Sequence, residues 1–157
     1  MRQLLPGHPF TVVLFDGGSN FLTRFREVWR EIPLSCRRVM LKHWHTGSPR
    51  SVPLVEAGAY WSGSDALATV ALNGWAMKFK PAVYEMSVGA ARALIAHELA
   101  HVYQHATGTI AEWSSGCGGI EAARGCIEDD ADDIAADWGF DRNELEDWKR
   151  DRLGVAA

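Results

Sequence analysis

The chain has 157 residues and a formal net charge of -4, with 47% apolar and 23% charged residues. These are ordinary globular values, and a chain of this length buries roughly two-thirds of its unfolded surface. We therefore expect one domain over residues 1–157. The negative charge makes nucleic acid a poor partner for the chain as a whole. The basic residues between Arg24 and Arg50 are interpreted as a solvated face.

Neither a signal peptide nor a membrane span is visible, because no stretch approaches the roughly 20 apolar residues that a span requires. We therefore expect a cytoplasmic protein that does not contact a membrane. An odd number of cysteines argues against a disulfide scaffold. Cys36, Cys117 and Cys126 are interpreted as plain thiols, with pairing or metal binding by the last two as the alternative.

The first elements follow from hydrophobic patterning. Phe10 to Phe15 is a short β-branched and aromatic run that predicts a buried strand, followed by a turn at Asp16–Gly18. Apolar residues at helical spacing predict a helix from Phe21 to about Glu31, with Ser19 or Asn20 as its cap.

The middle of the chain is rich in turn-forming residues. Cys36 to Trp44 fits either a second short helix or a strand, and Thr46 to Ser64 is typical of a loop that includes a strand within Ser51 to Glu56. Next comes a predicted hairpin, with strands at Ala66–Leu72 and Trp75–Lys80. Asn73-Gly74 forms its turn, and Pro81 ends its second strand.

The second half predicts helices. Ser87 is a good N-cap for a helix over about residues 88–106, which Gly108 ends. A glycine-rich loop is expected from Thr107 to Gly125. An amphipathic helix then runs from Ile127 to Trp138, and Asp141 opens a last helix, with Glu144 completing a capping box.

The central helix carries His97-Glu98-Leu99-Ala100-His101, an H-E-x-x-H motif. Histidines four residues apart lie on the same helix face, so both imidazoles can reach one zinc ion. Glu98, at the flank of the pair, can accept a proton from water. The motif predicts a Zn2+ site with Glu98 as a general base.

A catalytic zinc ion needs a third protein ligand, and several residues qualify. Glu128 and Asp132 are four apart beside the apolar stripe of the next helix. Glu128 would complete the ligand set, and Asp132 would accept a hydrogen bond from a ligand histidine. Asp129, Glu121 and a cysteine, Cys117 or Cys126, remain alternatives.

His105 lies on the same face but is about 12 Å along the axis from His97, which is too far for one ion. A metzincin would need glycine at position 104 and histidine at position 107. The chain has Gln104 and Thr107 there, which rejects that class.

Together, His97-Glu-Leu-Ala-His101 and Glu128-x-x-Ala131-Asp132-x-x-Ala135 resemble the motifs of minimal gluzincin metallopeptidases, above all the ImmA/IrrE-like peptidases. SprT-like and minigluzincin domains are similar at the first motif. The resemblance covers about residues 87–138. It implies an α+β, zincin-like fold, with a small mixed or antiparallel sheet packed on the active-site helix. It also implies that an edge strand, Ala66–Leu72 or Trp75–Lys80, binds the substrate backbone.

The resulting hypothesis is a zinc-dependent hydrolase of peptide bonds that acts on a peptide or protein. An oxyanion donor is also expected, and the sequence does not choose among the candidates Tyr60, Tyr84, Tyr103, His43, His45 and His105. The seven tryptophans are interpreted mainly as core. Two alternatives come from other classes: a zinc-binding interaction or regulatory module without proteolytic activity, and a metal-free protein with an accidental motif.

Overall fold

The computed structural model describes residues 2–4, 10–15, 19–47, 53–59, 66–71 and 73–153. It has an α+β fold, as the sequence predicted. The strands are β1 (Arg2–Leu4), β2 (Thr11–Leu14), β3 (Leu54–Ala57), β4 (Ala68–Ala71) and β5 (Ala76–Phe79). The helices are α1 (Ser19–Glu31), α2 (Leu34–Gly47), α3 (Val88–Thr107), α4 (Thr109–Gly116), α5 (Ile120–Asp137) and α6 (Arg142–Leu153). A short 3-10 helix, Pro81–Tyr84, follows β5.

The five strands form one mixed sheet in the order β1-β2-β3-β5-β4. The β2–β3 and β3–β5 pairs are parallel, whereas the outer pairs β1–β2 and β4–β5 are antiparallel. Val12, Val55 and Met77 are register neighbours across the three inner strands, and all three are fully buried. One residue further along, Glu56 and Lys78 form an ion pair. This alternation gives the sheet one core face and one polar face.

The β4–β5 hairpin forms as predicted, because Asn73 and Gly74 both adopt the positive φ that a tight primed turn requires. The pairing leaves β4 at the edge of the sheet, with β5 as its partner. Among the two strands that the sequence offered as the edge strand, only β4 therefore has that position.

Helix α3 is the centre of the fold. It packs against the other five helices and against β4, and its buried residues occur on nearly every side. The Ser87 hydroxyl accepts a hydrogen bond from the Ala90 N–H at the start of α3, and Gly108 ends it in the left-handed conformation. Since α3 contacts so many elements, its residues are held in fixed positions.

The predicted loop from Thr107 to Gly125 is wrong. That segment contains α4 and the first turns of α5, and α5 begins seven residues before the predicted start at Ile127. Glycine content misled the prediction, because Gly116 and Gly125 are helical. The positive-φ glycines of this segment, Gly108, Gly118 and Gly119, lie between helices. Ile110, Ala123 and Ile127 form a small separate apolar cluster with Trp113, and its burial explains why both flanks are helical.

Other differences are small. The Cys36–Trp44 segment is helical, within α2, and α1 begins at Ser19 itself. Asp141 caps α6 by accepting a hydrogen bond from the Asn143 N–H. The Glu144 side chain lies against Gly89 in the first turn of α3, where an added Cβ would overlap its carboxylate. An acidic group at that helix N-terminus is favourable.

Several sequence predictions lie partly or wholly outside the described residues. They are the Asp16–Gly18 turn, Arg50, the first residues of the Ser51–Glu56 strand, Tyr60, Trp61 and the last residue of the Ala66–Leu72 strand. Within the part of the chain that the structure describes, none of the helices combines the length and apolarity needed to cross a bilayer.

An aromatic cluster gives the first prediction. The Phe10 ring lies edge-on to the rings of Phe25, Trp29 and Trp44, at centroid distances of 5.1, 4.9 and 5.0 Å. Phe10 is 1% exposed, whereas Phe15, on the same segment, is 42% exposed. We expect Phe10→Ala to lower the free energy of unfolding by about 3–5 kcal/mol, and Phe15→Ala by less than about 1 kcal/mol. Urea denaturation of both variants measures the difference, and equal losses would contradict this account of the core.

Candidate metal centre

The two motif histidines face each other from successive turns of α3. Their ring centroids are 4.7 Å apart and the planes are nearly perpendicular. The Nε2 atoms of His97 and His101 lie 3.1 Å from each other. This closeness follows from the four-residue spacing, which stacks the side chains on one helix face.

Helix α5 brings a carboxylate to the same point. Glu128 Oε2 lies 3.2 Å from His97 Nε2 and 3.6 Å from His101 Nε2. The three residues form a group whose potential ligand atoms all lie within 4.8 Å of one another. When the imidazoles are protonated, their hydrogen bonds, that of His101 first, lower the pKa of Glu128 well below its usual range, and its carboxylate is charged.

Each imidazole is held through its other nitrogen. His97 Nδ1 lies 2.8 Å from Asp132 Oδ1, and Asp132 forms an ion pair with Arg142 of α6. A carboxylate ion-paired with arginine only accepts hydrogen bonds, so His97 Nδ1 donates. His101 Nδ1 donates to Gln104 Oε1, at 2.8 Å. In a neutral ring with a protonated Nδ1, the lone pair lies on Nε2.

This donor pattern fits a zinc ion. Two Nε2 lone pairs and one carboxylate oxygen converge with separations of 3.1–3.6 Å, and they repel one another unless a cation lies between them. Ligand atoms about 2.0–2.1 Å from a tetrahedral zinc ion are about 3.3–3.4 Å apart. The observed separations match that spacing, and two imidazoles with one carboxylate form a known catalytic ligand set for zinc.

Glu98 lies between the two histidines in sequence and is only 5% exposed. Burial raises its pKa above the ordinary glutamate value, against the smaller lowering effect of His97 and His101. Within the described residues, its Oε2 atom has no hydrogen-bond partner. A buried carboxyl group with a raised pKa and a free oxygen is suited to accepting a proton.

A cleft of about 670 Å³ opens beside these side chains. His97, Glu98, His101 and Glu128 lie in its wall, together with the edge strand β4. The remaining wall comes from α3, α4, α5 and α6 and combines apolar with charged side chains. Its apolar residues are Leu94, Ile110, Ile120, Ile127 and Leu145, and its polar or charged residues are His105, Glu121, Arg124, Asp132, Arg142, Glu146 and Lys149. A volume of this size accommodates a peptide segment of a few residues.

The alternative third ligands lie outside the group of three. Asp129 is exposed, and Glu121 lies in the cleft wall paired with Arg124 of its own helix. Cys117 and Cys126 are exposed free thiols. Within the described chain, only Glu128 therefore joins the two histidines in a potential metal group.

Most of the oxyanion candidates contact other parts of the protein, outside the cleft. The Tyr84 hydroxyl donates to Phe15 O, the Tyr103 ring packs on Trp138, and the ring nitrogens of His43 and His45 bond to backbone carbonyls. Among the described candidates, His105 alone lies in the cleft wall. Burial and, to a lesser degree, the nearby His101 and His43 lower the pKa of His105, so its ring is neutral at neutral pH.

The tryptophans of the described chain do not line the cleft. Trp29 and Trp44 are buried in the core, and Trp75, Trp138 and Trp148 pack against it. Trp113 packs against the smaller apolar cluster.

Two residues around the site were missed by the sequence interpretation. Gln104 holds His101, and Arg142 holds Asp132. Gln104 is three residues after His101, hence on the same face, so its position in the sequence offered a signal. The position of Arg142 in the sequence gave no such signal, because its ion pair with Asp132 depends on how α6 packs against α5.

A comparison with protein families supports part of this picture. Residues 44–109 match the model of the eCIS core domain family. The matched segment is less than half of the chain; it includes His97, Glu98, His101 and Gln104 and ends before Glu128. It relates the chain to a metallopeptidase-like family at most. Comparisons with curated proteins and with solved structures gave no match.

The burial of Glu98 predicts a stability change. Folding raises the pKa of this carboxyl group, so above the pKa that the group has in the unfolded chain, the unfolded chain loses the proton more readily than the folded chain does. The free energy of unfolding therefore falls as the pH rises through that range. Glu98→Gln carries no charge, so we expect it to raise the Tm of the metal-free chain by a few degrees at neutral pH. In acid, where both side chains are neutral, the gain should disappear. Thermal unfolding monitored by circular dichroism measures this, and a lower Tm for Glu98→Gln at neutral pH would contradict the inference.

Proposed function

We propose that the chain is a zinc-dependent peptidase of the minimal gluzincin type. The observation that carries the proposal is the convergence of two Nε2 lone pairs and the Glu128 carboxylate beside the buried Glu98, in the wall of a cleft. The spacing of Glu128, Ala131 and Asp132 after the H-E-x-x-H motif supports the gluzincin assignment. A cytoplasmic location stays a prediction from the sequence.

In this proposal each residue has a distinct role. His97, His101 and Glu128 would hold the metal, and Asp132, itself paired with Arg142, orients the His97 ring. Zinc, when bound, polarises the scissile carbonyl and makes a water molecule more acidic. Glu98 would accept a proton from the attacking water and pass it to the leaving amine. Its raised pKa suits a group that must both take and release a proton.

The edge strand β4 supports a peptide as the substrate. β4 pairs with β5 on one side and borders the cleft along Ala68–Val70, together with the preceding residues Ala66 and Leu67. An extended peptide can add to such an edge through backbone hydrogen bonds, whatever its sequence. The peptide would then lie over the metal centre, with its side chains against the apolar and charged residues of the cleft wall.

Metal content tests the first part of the proposal. We expect the purified chain to bind about one zinc ion, and His97→Ala to abolish binding, because two ligands rarely retain zinc. Glu128→Gln should weaken binding by about 10–100-fold or more. Elemental analysis and chelator competition measure both. Asp129→Asn, a change of the adjacent exposed acid, is the matched control and should bind like the wild type. Zinc binding unaffected by Glu128→Gln would move the third ligand elsewhere.

Hydrolysis tests the second part. We expect the zinc-loaded chain to cleave members of a mixed peptide library, and Glu98→Gln to lower the rate by at least about 100-fold with zinc retained. Mass spectrometry of the library gives the readout. Glu112→Gln alters an exposed glutamate outside the cleft wall and should cleave normally. A chain that binds zinc but cleaves no peptide would instead support the interaction-module alternative.

A further inference from the structure

We propose that Gln104 is a positioning residue of the zinc site: it fixes the tautomer and orientation of His101 and ties α5 to α3 beside Glu128. The predicted effect of Gln104 on zinc affinity rests on the proposed function, because it requires that the site bind zinc. The hydrogen bonds that support it stand independently of any metal.

Gln104 is the most deeply buried polar side chain of the described chain, with 0% exposure. Its oxygen lies 2.8 Å from His101 Nδ1. Its amide nitrogen donates twice, at 2.8 Å to the Ile127 carbonyl and at 2.8 Å to Asp130 Oδ2. Both amide protons are therefore used, and each contact joins α3 to α5 or to the metal site. A purely apolar side chain would satisfy packing at this position without any of these contacts.

The direction of the amide follows from its partners. A backbone carbonyl and a carboxylate accept hydrogen bonds, so the group that faces Ile127 and Asp130 is the NH2 group. The oxygen must then face His101, and it can only accept. His101 Nδ1 therefore carries a proton, and its Nε2 lone pair points toward His97 and Glu128. Acceptors on α5 thus determine which nitrogen of a ring on α3 is free to bind metal.

The same contacts set the distance between two ligands. Ile127, whose carbonyl receives the amide proton, directly precedes Glu128 in α5. Gln104 consequently touches the ring of one ligand and the backbone next to another. Loss of the amide would leave both the His101 ring and the α5 backbone beside Glu128 less firmly held. Ligand-orienting partners of this kind typically change metal affinity by about 10–100-fold.

The two imidazoles are held by different chemistry. His97 donates to the Asp132 carboxylate, whereas His101 donates to a neutral amide. Gln104 therefore orients its ring without adding a negative charge next to Glu128. This difference predicts that replacing the amide affects the tautomer of His101 and leaves that of His97 unchanged.

The test compares the wild type with Gln104→Met, which keeps the length and apolar packing but has no amide. Ring 15N chemical shifts of the metal-free full chain, at alkaline pH, report the tautomer of each histidine. We expect His101 to hold its proton on Nδ1 in the wild type and to lose that preference in Gln104→Met, while His97 is unchanged. Chelator competition should show zinc affinity about 10–100-fold lower.

Two results would overturn the inference. One is an unchanged His101 tautomer in Gln104→Met; the other is a wild-type His101 with its proton on Nε2. The tautomer measurement needs no metal, so it decides the inference even if the wild-type chain binds no zinc, a result that would sink the proposed function alone.

A second variant covers the case in which Gln104→Met fails to fold. Gln104→Glu keeps an acceptor for His101 but replaces the donors toward α5 with a charge beside Asp130. It should keep the Nδ1-protonated His101 and still bind zinc about tenfold or more weakly, because α5 is released. Adding Asp130→Asn restores a donor and an acceptor between positions 104 and 130 and should recover part of the affinity. Wild-type affinity in Gln104→Glu alone would contradict the role of the α5 contacts.

Discussion

The arrangement on which the site depends is the meeting of three electron-rich atoms in one place. His97 Nε2, His101 Nε2 and Glu128 Oε2 converge although no hydrogen atom lies between them when both rings are neutral and protonated on Nδ1. A positive charge at its centre stabilises such a cluster. A proton could supply that charge in acid, and it would compete with a metal for the same lone pairs. At neutral pH the geometry favours a divalent cation.

The fold holds this cluster through one central helix. α3 contacts every other helix and the edge strand, and its ends are fixed by the Ser87 cap and the left-handed Gly108. The partners that orient the two imidazoles come from both α3 and α5, and Arg142 of α6 secures one of them. Residues on packed helices are held more precisely than residues on loops. The same packing desolvates Glu98, which raises its pKa at some expense in stability.

Local spacing in the sequence was enough to place the histidines, since a four-residue interval on a helix has one geometric outcome. It also placed Glu128 and Asp132 on one face of the following helix, and the structure brings both to the histidines. The segment between the helices was mispredicted because glycine content was given more weight than the apolar residues Ile110 and Ala123, which pack against each other across the break. The role of Gln104 depends on acceptors from α5, and the edge position of β4 depends on strand order. Both are long-range outcomes that one sequence without structure does not determine.

The central claim is that two imidazoles and one carboxylate hold a zinc ion, and X-ray absorption at the zinc edge tests it most directly. The account predicts, for the purified chain, about four light-atom neighbours at about 2.0–2.1 Å with the multiple-scattering pattern of two imidazoles. A spectrum that requires sulfur at about 2.3 Å would contradict it, because the ligands would then include a cysteine. A spectrum without imidazole scattering would contradict it equally.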